Sequence, residues 1–177
     1  MHERLRDMPD TRTVSHLVDP LVRMAYRGAY SLALAYWFVR RPQSEGTFVG
    51  VWHGRKVLLL RNSYKRAFSL PGGGQHRGES PEQTGARELR EEVGLHASAR
   101  ELRPVFEAWG TAEYKRDRCH FVELDVQTEP RLTLDNREVV WATFIDVDTA
   151  LQLPLVQLVR TYLEDATRRR APAGPTP

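Results

Sequence analysis

LPGGGQHRGESPEQTGARELREEVGL, residues 70–95, decides how the rest of the chain is read. Three consecutive glycines, Gly72 to Gly74, open backbone conformations closed to other residues and let an amide or carbonyl approach a ligand closely. Taken alone, they read as a flexible turn ahead of a helix. That helix starts at Ser80-Pro81-Glu82-Gln83, which combines an N-cap serine, proline at the first helical position and a glutamine placed to complete a capping box. Gly94 is its stop signal. Within it Glu88, Glu91 and Glu92 stand at i, i+3 and i+4 and so share one face, while Ala86, Leu89 and Val93 gather on another.

Like charges at this spacing repel by a few tenths of a kcal/mol per pair, so grouping them beside a glycine loop calls for an offsetting cation. Arg87 reaches Glu91 at i+4, but one guanidinium cannot neutralise three carboxylates together with Glu79 on the approach loop. Mg²⁺ or Mn²⁺ would, because these hard ions take carboxylate oxygens, waters and substrate phosphates. A bare E-x-x-E-E is also consistent with a solvated acidic face making surface ion pairs, the usual state of a charge run.

The complete spacing favours the cation. Gly73, five residues, Glu79, seven residues, then Arg87-Glu88-Leu89-Arg90-Glu91-Glu92-Val93-Gly94-Leu95 resembles, at every defined position, the 23-residue box of the Nudix hydrolases. The box occupies Gly73–Leu95, and the flanking pattern extends the resemblance to about Gly46–Ala166. The resemblance implies an α/β fold, an α/β/α sandwich around a mixed sheet. It also implies Mg²⁺- or Mn²⁺-dependent hydrolysis of a pyrophosphate bond in a small nucleotide, either a nucleoside diphosphate derivative or a nucleoside triphosphate. By position, Glu88, Glu91 and Glu92 resemble the metal-binding carboxylates, with the Gly73 carbonyl as a further ligand. Glu79 would support the loop, and Arg87 would orient a catalytic glutamate. The general base is Glu91 or Glu92 inside the box, or outside it Glu138, with Glu113 a weaker choice; Glu138 reads equally well as a plain strand-edge acid.

Substrate contacts are expected from two basic clusters, Arg61, Lys65 and Arg66 beside Tyr64, and Lys115, Arg116 and Arg118, although loop charge is more often simply solvated. Trp109, Tyr114, Phe121 and Trp141 offer base-stacking rings, but aromatics in strand-like segments usually fill cores. The subfamily elements SQPWPFP and a proline about 15 residues past the box are missing, so the resemblance stops at the broad class.

Around the box, Thr47–Trp52 and Lys56–Arg61 read as strands joined through His53-Gly54-Arg55. Pro104–Thr111, Arg118–Val126 and Val139–Val147 read as further strands, and Leu155–Arg170 as a closing helix. Asp19-Pro20 has the form of a helix start, which predicts an amphipathic helix over about Pro20–Arg40. Its apolar residues, among them Leu21, Met24, Leu32 and Tyr36, leave Arg23 and Arg27 on the other side. That stripe should pack on the domain or form a homodimer contact; a membrane surface is the third reading. The expected organisation is an N-terminal arm and helix over 1–45, the hydrolase domain over 46–166 and a disordered tail over 167–177.

The length of 177 residues suits one core, at which size roughly 70% of the unfolded surface can be buried without disulfides or structural metals. One cysteine, Cys119, excludes an internal disulfide, and a reducing cytoplasmic setting is expected. A formal charge of +3 is too small to argue for nucleic-acid binding, which weakens the alternative of an RNA 5′-end pyrophosphohydrolase. The longest uncharged run, Gly28–Val39, falls short of the roughly 20 residues a transmembrane helix needs. The other alternative, a non-catalytic nucleotide-sensing module, would be expected to lose box acids, and all of them are present.

Overall fold

A computed structural model describes residues 11–40, 43–110, 116–134 and 136–171. In chain order the elements are α1 (Thr11–Arg40), β1 (Gln43–His53), β2 (Lys56–Asn62), β3 (Gly72–Gly74), α2 (Pro81–Val93), β4 (Arg103–Gly110), β5 (Arg116–Asp125), β6 (Val139–Asp146), α3 (Val147–Ala150) and α4 (Gln157–Arg170). Five strands lie in the order β4-β5-β1-β2-β6, and β3 pairs with the first part of β1. β1 and β5 run parallel; the other pairs are antiparallel, so the sheet is mixed.

Period-two alternation sends the strands' side chains to opposite faces. Val49, Val51, Leu58, Leu60, Val122 and Leu124 meet Leu89 and Val93 of α2 on one face. Trp52, Val57, Leu59 and Phe121 meet Val159, Tyr162, Leu163 and Ala166 of α4 on the other. The two buried clusters make the α/β/α sandwich that the resemblance implies. Each fully buried aliphatic side chain contributes about 1.5–3 kcal/mol, so both helices are firmly seated.

Three differences from the sequence reading stand out. First, α1 begins at Thr11 and continues through Pro20, so the proline costs the helix one hydrogen-bond donor without starting it. Second, α1 is turned over. Arg23 donates to the Asn136 carbonyl (2.8 Å), Arg27 donates to the Ser63 carbonyl (3.2 Å), and Arg137 pairs with Asp19 (3.2 Å). The apolar residues Leu21, Met24, Leu32, Tyr36 and Phe38 face outward, more than half exposed. The arginines dock because backbone carbonyls at the domain surface accept from them. Third, the glycine run is a short strand, β3, held by backbone pairing that needs no side chain. Among the described residues no helix is long and apolar enough to cross a membrane.

Candidate active site

α2 is built as its sequence predicts. Ser80 Oγ accepts from the Gln83 N–H and the Gln83 side chain accepts from the Ser80 N–H, while Gly94 ends the helix at φ 68°, in the left-handed region. These caps fix the rotation that turns Leu89 and Val93 into the core and the acids toward β3. Glu92 is buried, its Oε2 accepting the Gly72 N–H at 2.8 Å. Glu88 is half-buried and pressed against Gly73: a Cβ there would lie 2.2 Å from Glu88 Oε1, so only glycine leaves room for the carboxylate. Glu91 is half exposed at the rim.

Arg87 ties this face to the loop. It donates from Nε to Glu79 Oε1 (3.0 Å), from one terminal nitrogen to Glu88 Oε1 (2.7 Å) and from the other to the Gly74 carbonyl (2.9 Å), with Glu91 Oε2 at 3.4 Å. Glu79 also accepts from the His76 N–H and from Thr84 Oγ1, each at 3.0 Å. The Arg87 guanidinium, then the His76 N–H, hold its carboxyl down at about 2. Glu79 is therefore an ionised strut between loop and helix.

Glu88 and Glu92 are perturbed the other way. Desolvation is the main cause, pushing Glu88 up and Glu92 well above the usual carboxylate range; the charges of Glu91 and Glu138 add to the first shift and those of Glu88 and Glu138 to the second. Glu138 thus joins the acid cluster from the segment ahead of β6, where Tyr64 Oη donates to its Oε1 at 2.7 Å. These acids, Glu91, the β3 glycines and Lys65 line one cleft of about 690 Å³, a size that suits a small-molecule ligand. Buried Thr47 lines it too, and its Oγ1 finds no hydrogen-bond partner among the described residues.

Of the other residues expected at the site, Arg61 is exposed with its guanidinium 6.0 Å from the Phe68 ring, and neither it nor exposed Arg66 lines the cleft. Lys115, Glu113 and Tyr114 lie outside the described residues, as does the Arg116 side chain. Arg118 pairs with Glu107 at 2.8 Å. Phe121 is core, and Trp141 packs against it in contact with Phe68. Trp109, expected in the core, is instead 65% exposed beside Arg118, because β4 is an edge strand with one face open to solvent.

Sequence reasoning missed the contribution of α1, whose Tyr26, Ala29, Tyr30 and Ala33 line the cleft. The only trace in the sequence is their i, i+3, i+4, i+7 spacing, which marks a common face but not what it meets.

The donor set suits a hard divalent cation: three box carboxylates and a glycine carbonyl bordering one cleft, two of the acids desolvated and crowded by like charge. Among the described residues no three acids already stand together as a ready-made metal site. Glu88 is drawn to Arg87 and Glu92 to the Gly72 amide instead.

The NUDIX domain model matches residues 41–166. This chain belongs to that family. With its box intact, it is a Nudix-type pyrophosphohydrolase. No curated protein matches it by sequence. Among solved structures, this Nudix chain is similar to the MutT protein of Methanosarcina mazei Go1, with 20% identity, a TM-score of 0.64 and coverage of 75% of this chain and 98% of that one. A bifunctional NMN adenylyltransferase/ADP ribose pyrophosphatase from Francisella tularensis, complexed with AMP and a Mn ion, has 13% identity and a TM-score of 0.66 over 82% of this chain and 48% of that one. The E. coli dihydroneopterin triphosphate pyrophosphohydrolase has 21% identity and a TM-score of 0.56 over 71% and 95%. At these identities the likeness is one of fold.

Proposed function

We propose that this Nudix protein hydrolyses a pyrophosphate bond in a nucleoside diphosphate derivative or nucleoside triphosphate with Mg²⁺ or Mn²⁺, in the cytoplasm. The observation that carries the reading is one cleft lined by Glu88, Glu91, Glu92 and Glu138 together with the β3 glycines, with Arg87 as a cation bonded to Glu88. Glu88, Glu91, Glu92 and the Gly73 carbonyl would hold the metal, which when bound screens the phosphate oxygens and acidifies the attacking water. Arg87 and Glu79 keep the helix face and the loop in register. Glu91, Glu92 or Glu138 takes the proton from water, and the hydrogen bond from Tyr64 fixes the direction of the Glu138 carboxylate.

Lys65, at the cleft wall, is the best-placed phosphate contact; Arg61, Arg66, Lys115 and Arg116 are secondary candidates. The pyrophosphate-cleaving class is supported by neighbours named for ADP ribose and for dihydroneopterin triphosphate. The full set of box acids favours catalysis over nucleotide sensing. The test is turnover of nucleoside triphosphates, ADP-ribose, dinucleoside polyphosphates and sugar nucleotides with each metal, beside Glu91→Gln and Glu92→Gln. Metal-dependent turnover by the wild type that falls sharply in the variants is expected; wild-type rates in both variants reject the assigned site.

A further inference from the structure

α1 lies before the segment that matches the family, yet the cleft is not complete without it. The three polar anchors described above fall beside residues of the site. Arg27 bonds Ser63, next to Tyr64; Arg23 bonds Asn136 and Asp19 pairs with Arg137, both just ahead of Glu138. On either side of Arg27, Tyr26 stacks on Tyr64 with ring centroids 6.2 Å apart, and Tyr30 meets the same ring at 5.0 Å. The Lys65 ammonium sits 5.4 Å from the centre of the Tyr30 ring. Between and beyond these tyrosines, the described lining includes the methyl groups of Ala29 and Ala33, one helical turn apart.

Rigid anchoring together with small side chains is what a wall needs to define a space. The box acids Glu88, Glu91 and Glu92 and the β3 glycines line the β3–α2 part of the cleft, so the reacting pyrophosphate belongs there. A substituent on that pyrophosphate extends along the remaining lining, which α1 supplies. Tyr30 and Tyr26 give flat, partly polar surfaces, and Lys65 adds a positive charge where the phosphate chain would meet them.

We propose that α1 is the specificity wall of this active site: Ala29, Ala33 and Tyr30 bound the compartment for the group esterified to the pyrophosphate, and so select substrates by the size of that group. This rests on the pyrophosphohydrolase reading and adds to it the element that discriminates among substrates. Because α1 is outside the shared domain, the discrimination belongs to this chain and not to the box.

The experiment enlarges the wall in the full-length protein. Ala33→Phe and Ala29→Leu put bulk into the cleft, while Ala35→Phe, on the exposed side of the same helix, controls for helix stability. The probes are ADP-ribose, a nucleoside triphosphate and inorganic tripolyphosphate, which has no substituent. Both cleft variants should raise KM for the two nucleotides at least tenfold, most for ADP-ribose, and leave KM for tripolyphosphate and the melting temperature unchanged. Ala35→Phe should behave as wild type throughout. Unchanged nucleotide KM in both cleft variants, or equal increases for all three probes, overturns the wall. If the wild type turns over none of the probes, it is the hydrolase reading that fails; calorimetric binding of the same probes then decides the wall, which stands only if the variants weaken nucleotide but not tripolyphosphate binding.

Discussion

Gly73 shows how tightly one backbone position is held by its neighbour. A methyl group there would sit 2.2 Å from Glu88 Oε1 and 2.7 Å from its Cδ, so Gly73→Ala must push the carboxylate away. Displacement of a reacting group by about 1 Å costs on the order of 100-fold in rate. Steady-state kinetics should show that loss in kcat/KM, with a circular dichroism spectrum like that of the wild type. Glu92 makes the complementary case. Burial holds its carboxyl well above the usual range, so ionising it in the folded protein is a cost to folding. The folded state binds this proton more tightly than the unfolded state does. Its contribution therefore worsens as pH rises from about 4.3 toward the raised folded value. Glu92→Gln keeps an acceptor for the Gly72 N–H and removes the charge. Thermal denaturation at pH 7 should show a higher Tm, by about 2–4 °C for each kcal/mol gained, while metal-dependent turnover is lost.

At the scale of elements, α2 depends on its ends. Ser80→Ala removes the side-chain acceptor of the capping box and should cost about 1 kcal/mol, read as a lower urea midpoint at unchanged m-value. Leu32 on α1, 75% exposed, should tolerate glutamate within about 0.5 kcal/mol, since no buried surface is lost. The two helices also mark what a sequence can disclose. α2 is legible because proline, serine, glutamine and glycine act on backbone groups within a few residues of themselves. The apolar stripe of α1 is equally visible, but which face docks depends on carbonyls of Ser63 and Asn136 that come from far along the chain. β3 was hidden for a related reason: a run of glycine has no periodicity, and its strand exists only through hydrogen bonds to β1. The box acids were legible from their spacing, whereas the approach of Tyr64 to Glu138, 74 residues away, is set by the sheet.

Across the whole molecule, the α4 end is joined to the sheet through Glu123, whose side chain has no exposure and takes hydrogen bonds from Arg103, Arg169, Arg170 and Tyr162. Desolvation pushes its carboxyl up, but the guanidinium groups of Arg170 and Arg169 outweigh it and the net shift is downward. A lowered folded value means this contribution is complete above about pH 4.3 and is lost as pH falls through the folded value. Glu123→Gln should therefore lose about 2 kcal/mol at pH 7 and show a smaller further loss than the wild type in urea titrations at pH 3. The parallel pairing of β1 with β5 carries a different consequence. Partners such as Ser44 and Asp117 are 73 positions apart, so a chain leaving the ribosome cannot lay down the middle of its sheet until β5 has emerged. Nascent chains stalled before that point would present one edge of β1 bare to the cell's chaperones.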